Sequence, residues 1–161
     1  MGDATDTDTL HGTAVALGAS AALILGPSGS GKSDLALRCL ALAPTPMLPQ
    51  PPVLVADDRV FIERTGHRLR VRAPATILGQ IEIRGLGIIT VPHRPAADLV
   101  LAVELVARQA VERLPDPIPS WECQGIGIPL LRLAPFEAST PVKLMLALMQ
   151  VVQGLANQQE T

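Results

Sequence analysis

The chain has 161 residues, enough for one domain with its own core and too few for two. Hydrophobic residues make up 48% but aromatic ones only 2%, with no Tyr, so the core must be built from Leu, Val, Ile and Ala. A net charge of −2 with dispersed basic residues argues against nucleic acid or an acidic membrane as the main partner. Cys39 and Cys123 are too few for a disulfide framework, lack metal-site spacing, and read as small buried apolar residues.

Residues 1–10 read as a frayed tail and 11–161 as a single domain. Residues 1–8 are acidic and polar, unlike a signal peptide, and no stretch is long and apolar enough to span a bilayer; a cytoplasmic protein is expected. Thr13–Leu17 and Ala21–Leu25 read as two short strands with a turn at Gly18. Gly26-Pro27-Ser28-Gly29-Ser30-Gly31-Lys32-Ser33 then matches the G-x-x-x-x-G-K-[ST] phosphate-binding loop in full. Its glycines let backbone N–H groups converge on a polyphosphate, Lys32 reaches the β/γ-phosphates, and the Ser33 hydroxyl can ligate Mg²⁺. Residues 33–42 follow as a helix, with Leu35, Cys39 and Leu42 on one face and Pro44 as its stop. A phosphate would thus sit on a helix N-terminus, and the motif implies a nucleotide ligand.

Residues 43–52 carry five prolines and must form an exposed loop. Val53–Ala56 is a compact apolar run of the kind buried in a sheet, ending at Asp57-Asp58. Residues 60–63 and 69–72 flank Thr65-Gly66-His67 as a hairpin, and alternation of Leu69/Val71 with Arg70/Arg72 gives one wet face. Leu86–Val91 is another apolar run, and Leu99–Val106 reads as a strand continuing into a helix. Residues 111–129 are broken by Pro115, Pro117, Pro119, Gly125 and Gly127 into an irregular loop of a length usually functional or disordered. Thr140 caps a last helix with Pro141 at its first position. Its apolar residues lie on nearly every side, so it is fully buried or half of an interface. Neither an internal repeat nor a second domain is visible.

The chemistry beyond phosphate binding starts at Asp57-Asp58, just past a strand end, where open α/β sheets place their sites. Two adjacent carboxylates fit a pair in which one exchanges a proton while the other helps hold Mg²⁺. His11, before the first strand, reads on its own as a surface or packing residue. Glu82 and Arg84 share a face if residues 81–84 are a strand. They fit either a metal ligand beside a phosphate-binding guanidinium or an exposed ion pair, and spacing does not decide.

The run Leu78-Gly79-Gln80-Ile81-Glu82-Ile83-Arg84-Gly85-Leu86-Gly87-Ile88-Ile89-Thr90-Val91 resembles the signature segment of HPr kinase/phosphorylase. That family is a bacterial bifunctional enzyme acting on a serine of the small carrier protein HPr. His11-Gly12-Thr13, the phosphate loop and Val55-Ala56-Asp57-Asp58-Arg59 match it in the same order, so the resemblance covers residues 11–91. The segments Ile128–Leu133 and Pro135-Phe136-Glu137 resemble short members of the family less distinctively.

The resemblance implies an α/β phosphate-loop domain with a mixed β core, surrounding helices and a nucleotide site like that of phosphoenolpyruvate carboxykinase. A mixed sheet follows from the hairpin as well, which demands antiparallel pairing. It further implies ATP-dependent, Mg²⁺-dependent transfer to a serine of an HPr-type carrier, and the reverse reaction with inorganic phosphate to give pyrophosphate. Asp57 would be the general base with His11 supporting it, Lys32 would hold phosphates, and Ser33 with Glu82 would hold Mg²⁺. Asp58 and Arg84 would be supporting members, and Arg113 the arginine of a mobile loop. Family members of full length carry an extra N-terminal domain, so the chain is expected to be a catalytic core, assembling as a homo-oligomer, a hexamer in the family. Two other classes remain open: a small-molecule kinase, which only the Glu82–Val91 block argues against, and a nucleotide sensor without transfer. The donor is ATP or pyrophosphate.

Overall fold

The computed structural model describes residues 6–160. Two strands, β2 (Thr13–Leu17) and β3 (Ser20–Leu25), pair antiparallel across a turn in which Gly18 takes φ +58°. Their alternate residues go to opposite faces, as the strand period of two requires. Val15, Leu17, Ala22 and Ile24 enter one buried cluster, and Ala14, Ala16, Ala21 and Leu23 enter another. The sheet is therefore covered on both sides.

The first cluster is closed by two helices, α1 (Lys32–Leu40) and α2 (Thr140–Gln159), through Leu35, Ala36, Cys39, Leu144, Met145 and Leu148. The second lies among the sheet's own strands. Nine strands form one sheet in the order β1-β5-β6-β9-β3-β2-β4, with β11 added to β9 and β10 to β11. Here β1 is Thr7–His11, β4 Val53–Ala56, β5 Arg59–Thr65, β6 Arg68–Arg72, β9 Ala96–Leu105, β10 Ser120–Cys123 and β11 Ile126–Leu133. Val60 and Ile62 of β5, Leu69 and Val71 of β6, and Ile128 of β11 fill that second core.

The sheet is mixed, as expected. β3 and β9 run parallel, as do β9 and β11, while β2 separates β3 from β4 by two antiparallel pairings. Strands β4, β3, β9 and β11 thus all point the same way. One edge of β9 is shared: β6 pairs with Ala96–Asp98 and β11 with Ala102–Leu105. A separate antiparallel ribbon, β7 (Gln80–Ile83) with β8 (Gly87–Thr90), carries the signature segment. Ile81 anchors it in the helix-covered core, whereas Leu86 is 75% and Ile88 67% exposed.

Several sequence expectations need correcting. Residues 7–10, read as tail, form β1, because an antiparallel partner in β5 satisfies their backbone groups; residues 1–5 lie outside the described residues. The run at Leu99–Val106 is strand only as far as Leu105, and no α-helix follows. Partners on both edges of β9 outweigh local helix propensity there. The irregular segment 111–129 ends in a hairpin, because Gln124 and Gly125 both take positive φ, the signature of a two-residue hairpin turn. Ser139, not Thr140, stands at the N-cap of α2, and the Thr140 hydroxyl donates instead to Ala134 O at 2.6 Å. α2 is neither wholly buried nor exposed: Leu144, Met145 and Leu148 line one buried stripe, and Val142, Leu146 and Val151 are half-buried. The proline loop is irregular as expected, and buried Leu48 pins it through reciprocal backbone bonds with Thr45. Among the described residues no helix is long and apolar enough to cross a membrane.

Two outcomes follow from this core. Leu144→Ala, emptying a site with no solvent contact, lowers unfolding free energy by about 2–5 kcal/mol in a denaturant titration. Burial pushes the Cys39 thiol up to about 12, against the opposing charge of Arg38, and burial with the nearby Asp8 carboxylate pushes Cys123 to about 11. The folded thiols then stay neutral where unfolded ones ionise, so this stabilisation is complete below the unfolded value and is lost as pH rises from about 9 toward 12. Native protein at pH 8 should resist alkylation at both, and unfolded protein should react at both.

Candidate active site

Strands that run together deliver their ends together. The C-terminal end of β4 leads into Asp57-Asp58, that of β3 into the glycine loop, that of β9 into Ala107-Arg108 and that of β11 into Pro135-Phe136. This is the edge at which open α/β sheets bind ligands.

The loop 26–31 connects β3 to α1, with the Ser30 amide donating to Pro27 O at 3.1 Å. Gly29 and Gly31 have φ of +79° and +99°, which glycine adopts without steric cost. At Gly31 a Cβ would stand 2.9 Å from the Phe136 ring, so both conformation and space require glycine there. No side chain caps the start of α1, so its first N–H groups remain for an anion. Lys32 Nζ folds back onto its own loop, donating to Gly26 O at 2.7 Å and Pro27 O at 3.0 Å. The cation therefore already sits over the concavity that a polyphosphate would fill.

Asp57 is 5% exposed and fully engaged. Its Oδ1 accepts from Ser33 Oγ at 2.6 Å and Thr13 Oγ1 at 3.1 Å, and its Oδ2 from the Glu82 amide at 3.3 Å. The bond from Ser33 has the short length of a charge-assisted one. Asp58 differs in every respect. It is exposed, has φ +68°, and its carboxylate lies 3.8 Å from His11 Nδ1. The Gly12 amide donates to Asp58 O at 3.1 Å, bringing the end of β1 to the turn. At Gly12 itself a Cβ would stand 2.9 Å from Leu23 Cδ1, so His11 arrives over a glycine that no other residue could replace without movement.

The general-base role implied for Asp57 thus meets a carboxylate that accepts three hydrogen bonds, beside an exposed neighbour that faces His11. Glu82 reaches the cluster through its amide, and its carboxylate is exposed on β7 without a partner among the described residues. Arg84 does not share a strand face with Glu82: β7 ends at Ile83, and Arg84 lies in the ribbon's turn, where Gly85 at φ +90° reverses the chain. Arg113 lines a different groove, between residues 111–119, β11 and α2. The arginine that lines a cleft with Pro27 and Ser30 is Arg108. Its available signal was its place just beyond the C-terminal end of a parallel strand. Phe136 was missed as a site residue for the same reason. Arg38 of α1 holds its turn in place, donating to Pro135 O and to Glu137 O at 3.4 Å while paired with Asp34 at 2.9 Å.

Among the described residues no three or more His, Cys, Asp or Glu side chains gather as a metal site. What is present fits Mg²⁺ nonetheless, since that ion takes one or two carboxylates together with substrate phosphates. The Ser33 hydroxyl donates to Asp57 and keeps lone pairs for a metal, and the backbone of Glu82 reaches the same Asp57 carboxylate.

A glycine loop and a buried carboxylate thus meet at one edge of a mixed sheet in an α/β domain. Residues 3–152 match the family model described as HPr Serine kinase C-terminal domain, and the chain belongs to that family. It is 33% identical over 132 residues to the HPr kinase/phosphorylase of Brevibacillus brevis, covering 81% of this chain and 40% of that one. It is 40% identical over 134 residues to the one from Caldicellulosiruptor bescii, covering 76% and 40%. The chain thus spans about two fifths of the length of these curated relatives. Its fold is that of the solved Hpr(Ser) kinase/phosphatase from Coxiella burnetii, with a TM-score of 0.72 at 21% identity over 96% of this chain and 99% of that one.

The positive φ of Asp58 is directly testable. A β-carbon in the left-handed region costs about 1–2 kcal/mol, so Asp58→Gly should be more stable than Asp58→Ala by about 1 kcal/mol in urea titration. At an ordinary position the order is the reverse.

Proposed function

We propose that the domain is a cytoplasmic, Mg²⁺-dependent phosphotransferase that moves the γ-phosphoryl group of ATP to a serine of an HPr-type carrier protein. In reverse it removes that phosphate with inorganic phosphate, yielding pyrophosphate. The observation that carries this reading is the bond from Ser33 to buried Asp57 beside an open glycine loop, with the second carboxylate, Asp58, exposed next to it beside His11.

In this reading the loop amides and Lys32 hold the phosphates, and Arg84, exposed at the ribbon turn and without a partner among the described residues, adds positive charge. Ser33 and Glu82 would hold Mg²⁺, with Asp57 orienting Ser33, and the ion when bound would neutralise phosphate charge. Asp58, rather than Asp57, is the base in this reading: it is exposed, and His11 at 3.8 Å is its side-chain partner among the described residues. The serine oxygen bonds to the γ-phosphorus as the bond to the bridging oxygen breaks, the serine proton passes to Asp58, and ADP leaves. His11 sits near enough to orient that carboxylate. Arg113, distant from the loop in its contacts, has no part in this scheme. Assembly into a homo-oligomer, hexameric by resemblance, is supported by the apolar surface of the ribbon at Leu86 and Ile88.

The test is transfer from γ-labelled ATP to purified HPr-type protein with Mg²⁺. Wild type should put acid-stable label on a serine, and Asp58→Asn should lower the rate about 10²–10⁴-fold with nucleotide affinity retained. No label despite nucleotide binding would discard the carrier protein as acceptor. Full activity in Asp58→Asn would return the base to Asp57.

A further inference from the structure

The acidic pair sits at a bend in a ladder that is otherwise continuous. His11 of β1 faces Arg59 of β5, and Ala14 of β2 faces Ala56 of β4, so one antiparallel register runs through both pairings. Between them Gly12 and Thr13 stand opposite Asp58 and Asp57, and there the regular pairing is interrupted. The Arg59 amide closes a three-residue turn onto Asp57 O at 2.8 Å, with Asp58 at its centre and φ +68°. A positive φ at the centre of such a turn marks its rare, strained form. Strain of this kind persists only where the surroundings over-determine it.

The surroundings here are three consecutive residues, one for each group that Asp58 offers. Its carboxylate lies 3.8 Å from His11 Nδ1, its carbonyl accepts from the Gly12 amide at 3.1 Å, and its own amide donates to Thr13 Oγ1 at 3.5 Å. The last of these brings a side chain to the backbone, where the interrupted ladder supplies no carbonyl. The same hydroxyl donates to Asp57 Oδ1 at 3.1 Å, the oxygen that also takes Ser33 Oγ at 2.6 Å. A hydroxyl has one proton to give and lone pairs to receive with. Its hydrogen therefore goes to Asp57, and an acceptor position remains for the Asp58 amide. Thr13 has no exposed surface, so both bonds are made out of reach of solvent. Its branched β-carbon restricts χ1, and with it the direction of the hydroxyl.

We propose that Thr13 is a positioning residue of this site: its hydroxyl fixes the direction of the Asp57 carboxylate and the backbone of Asp58 together. The inference rests on the phosphotransferase reading above. It holds whichever carboxylate takes the serine proton, because both residues bond to the same oxygen. Thr13 touches no substrate in this scheme. Its contribution is to orientation, where a displacement of about 1 Å can cost about 10²-fold in rate.

Two variants and two readouts test this. Thr13→Val keeps the branched shape and removes the hydroxyl, whereas Thr13→Ser keeps the hydroxyl. In transfer from γ-labelled ATP, Thr13→Val should lower kcat about 10–100-fold with KM for ATP within about threefold, the pattern of a lost transition-state arrangement rather than of lost binding. Thr13→Ser should recover the rate to within about fivefold of wild type. Amide hydrogen exchange reads the turn without any catalysis. The Asp58 N–H should exchange about tenfold faster in Thr13→Val than in wild type, with the amides of β3 unchanged. Thr13→Cys, which carries a weak donor, gives the same comparison where Thr13→Val does not fold. Unchanged Asp58 exchange, or a Thr13→Ser enzyme as slow as Thr13→Val, overturns the inference. So does a raised KM with kcat unchanged, which would assign the hydroxyl to substrate binding. No transfer by wild type removes the phosphotransferase reading, and it is told apart from failure of this inference, which the exchange readout decides by itself.

Discussion

A carboxylate nearly withdrawn from water needs donors, and those of Asp57 come from three separate pieces of chain. Ser33 belongs to the first turn of α1, Thr13 to β2 and the Glu82 amide to the ribbon. One side chain thereby sets the start of the helix, the end of a strand and the height of the signature ribbon relative to each other. Losing it would leave the Thr13 hydroxyl, itself fully buried, without its acceptor, and the cost of such orphaned groups exceeds that of the bonds themselves. The glycine loop, the Ser33 hydroxyl and the signature ribbon owe their mutual placement to this node.

Around it, the sheet acts as a sorting device. Residues of different chemistry are separated by strand order rather than by distance along the chain: the acidic pair follows β4, the glycine loop follows β3, and Arg108 and Phe136 follow β9 and β11. Arg38 joins two of these functions, because it leaves α1 and bonds to carbonyls of the turn that carries Phe136.

Much of this was readable from local chemistry. The glycine loop, the strands around it and the hairpin at Gly66 have signals lying within a few residues: fixed motif spacing, period-two alternation, turn glycines. What escaped depends on partners far along the chain. β1 alternates Thr and Asp with little apolar content and exists because β5 lies beside it. β9 looks able to continue as helix until its three strand neighbours are known. The Gln124-Gly125 turn lacked the Asn or Asp that normally marks such a hairpin. The site shows the same division. Asp57 and Asp58 were recognisable as a working pair, but which oxygens are occupied depends on Thr13 and Glu82, 44 and 25 positions away. Arg108 and Arg113 are five residues apart on a stretch without motif, and the end of a strand decides between them.

The signature ribbon has a colloidal consequence. It projects Leu86 and Ile88 into solvent on a two-stranded unit whose β8 has no second neighbour in the sheet, so one row of backbone donors and acceptors stays open beside apolar side chains. With a net charge of only −2 and an isoelectric point near 5.9, the molecule has little electrostatic repulsion to keep copies apart. Self-association of this protein is therefore governed by a patch of a few residues more than by its overall charge. Salt, which screens charge but not apolar contact, will promote it, and a single lysine in place of Ile88 will do more for solubility than several acidic residues elsewhere.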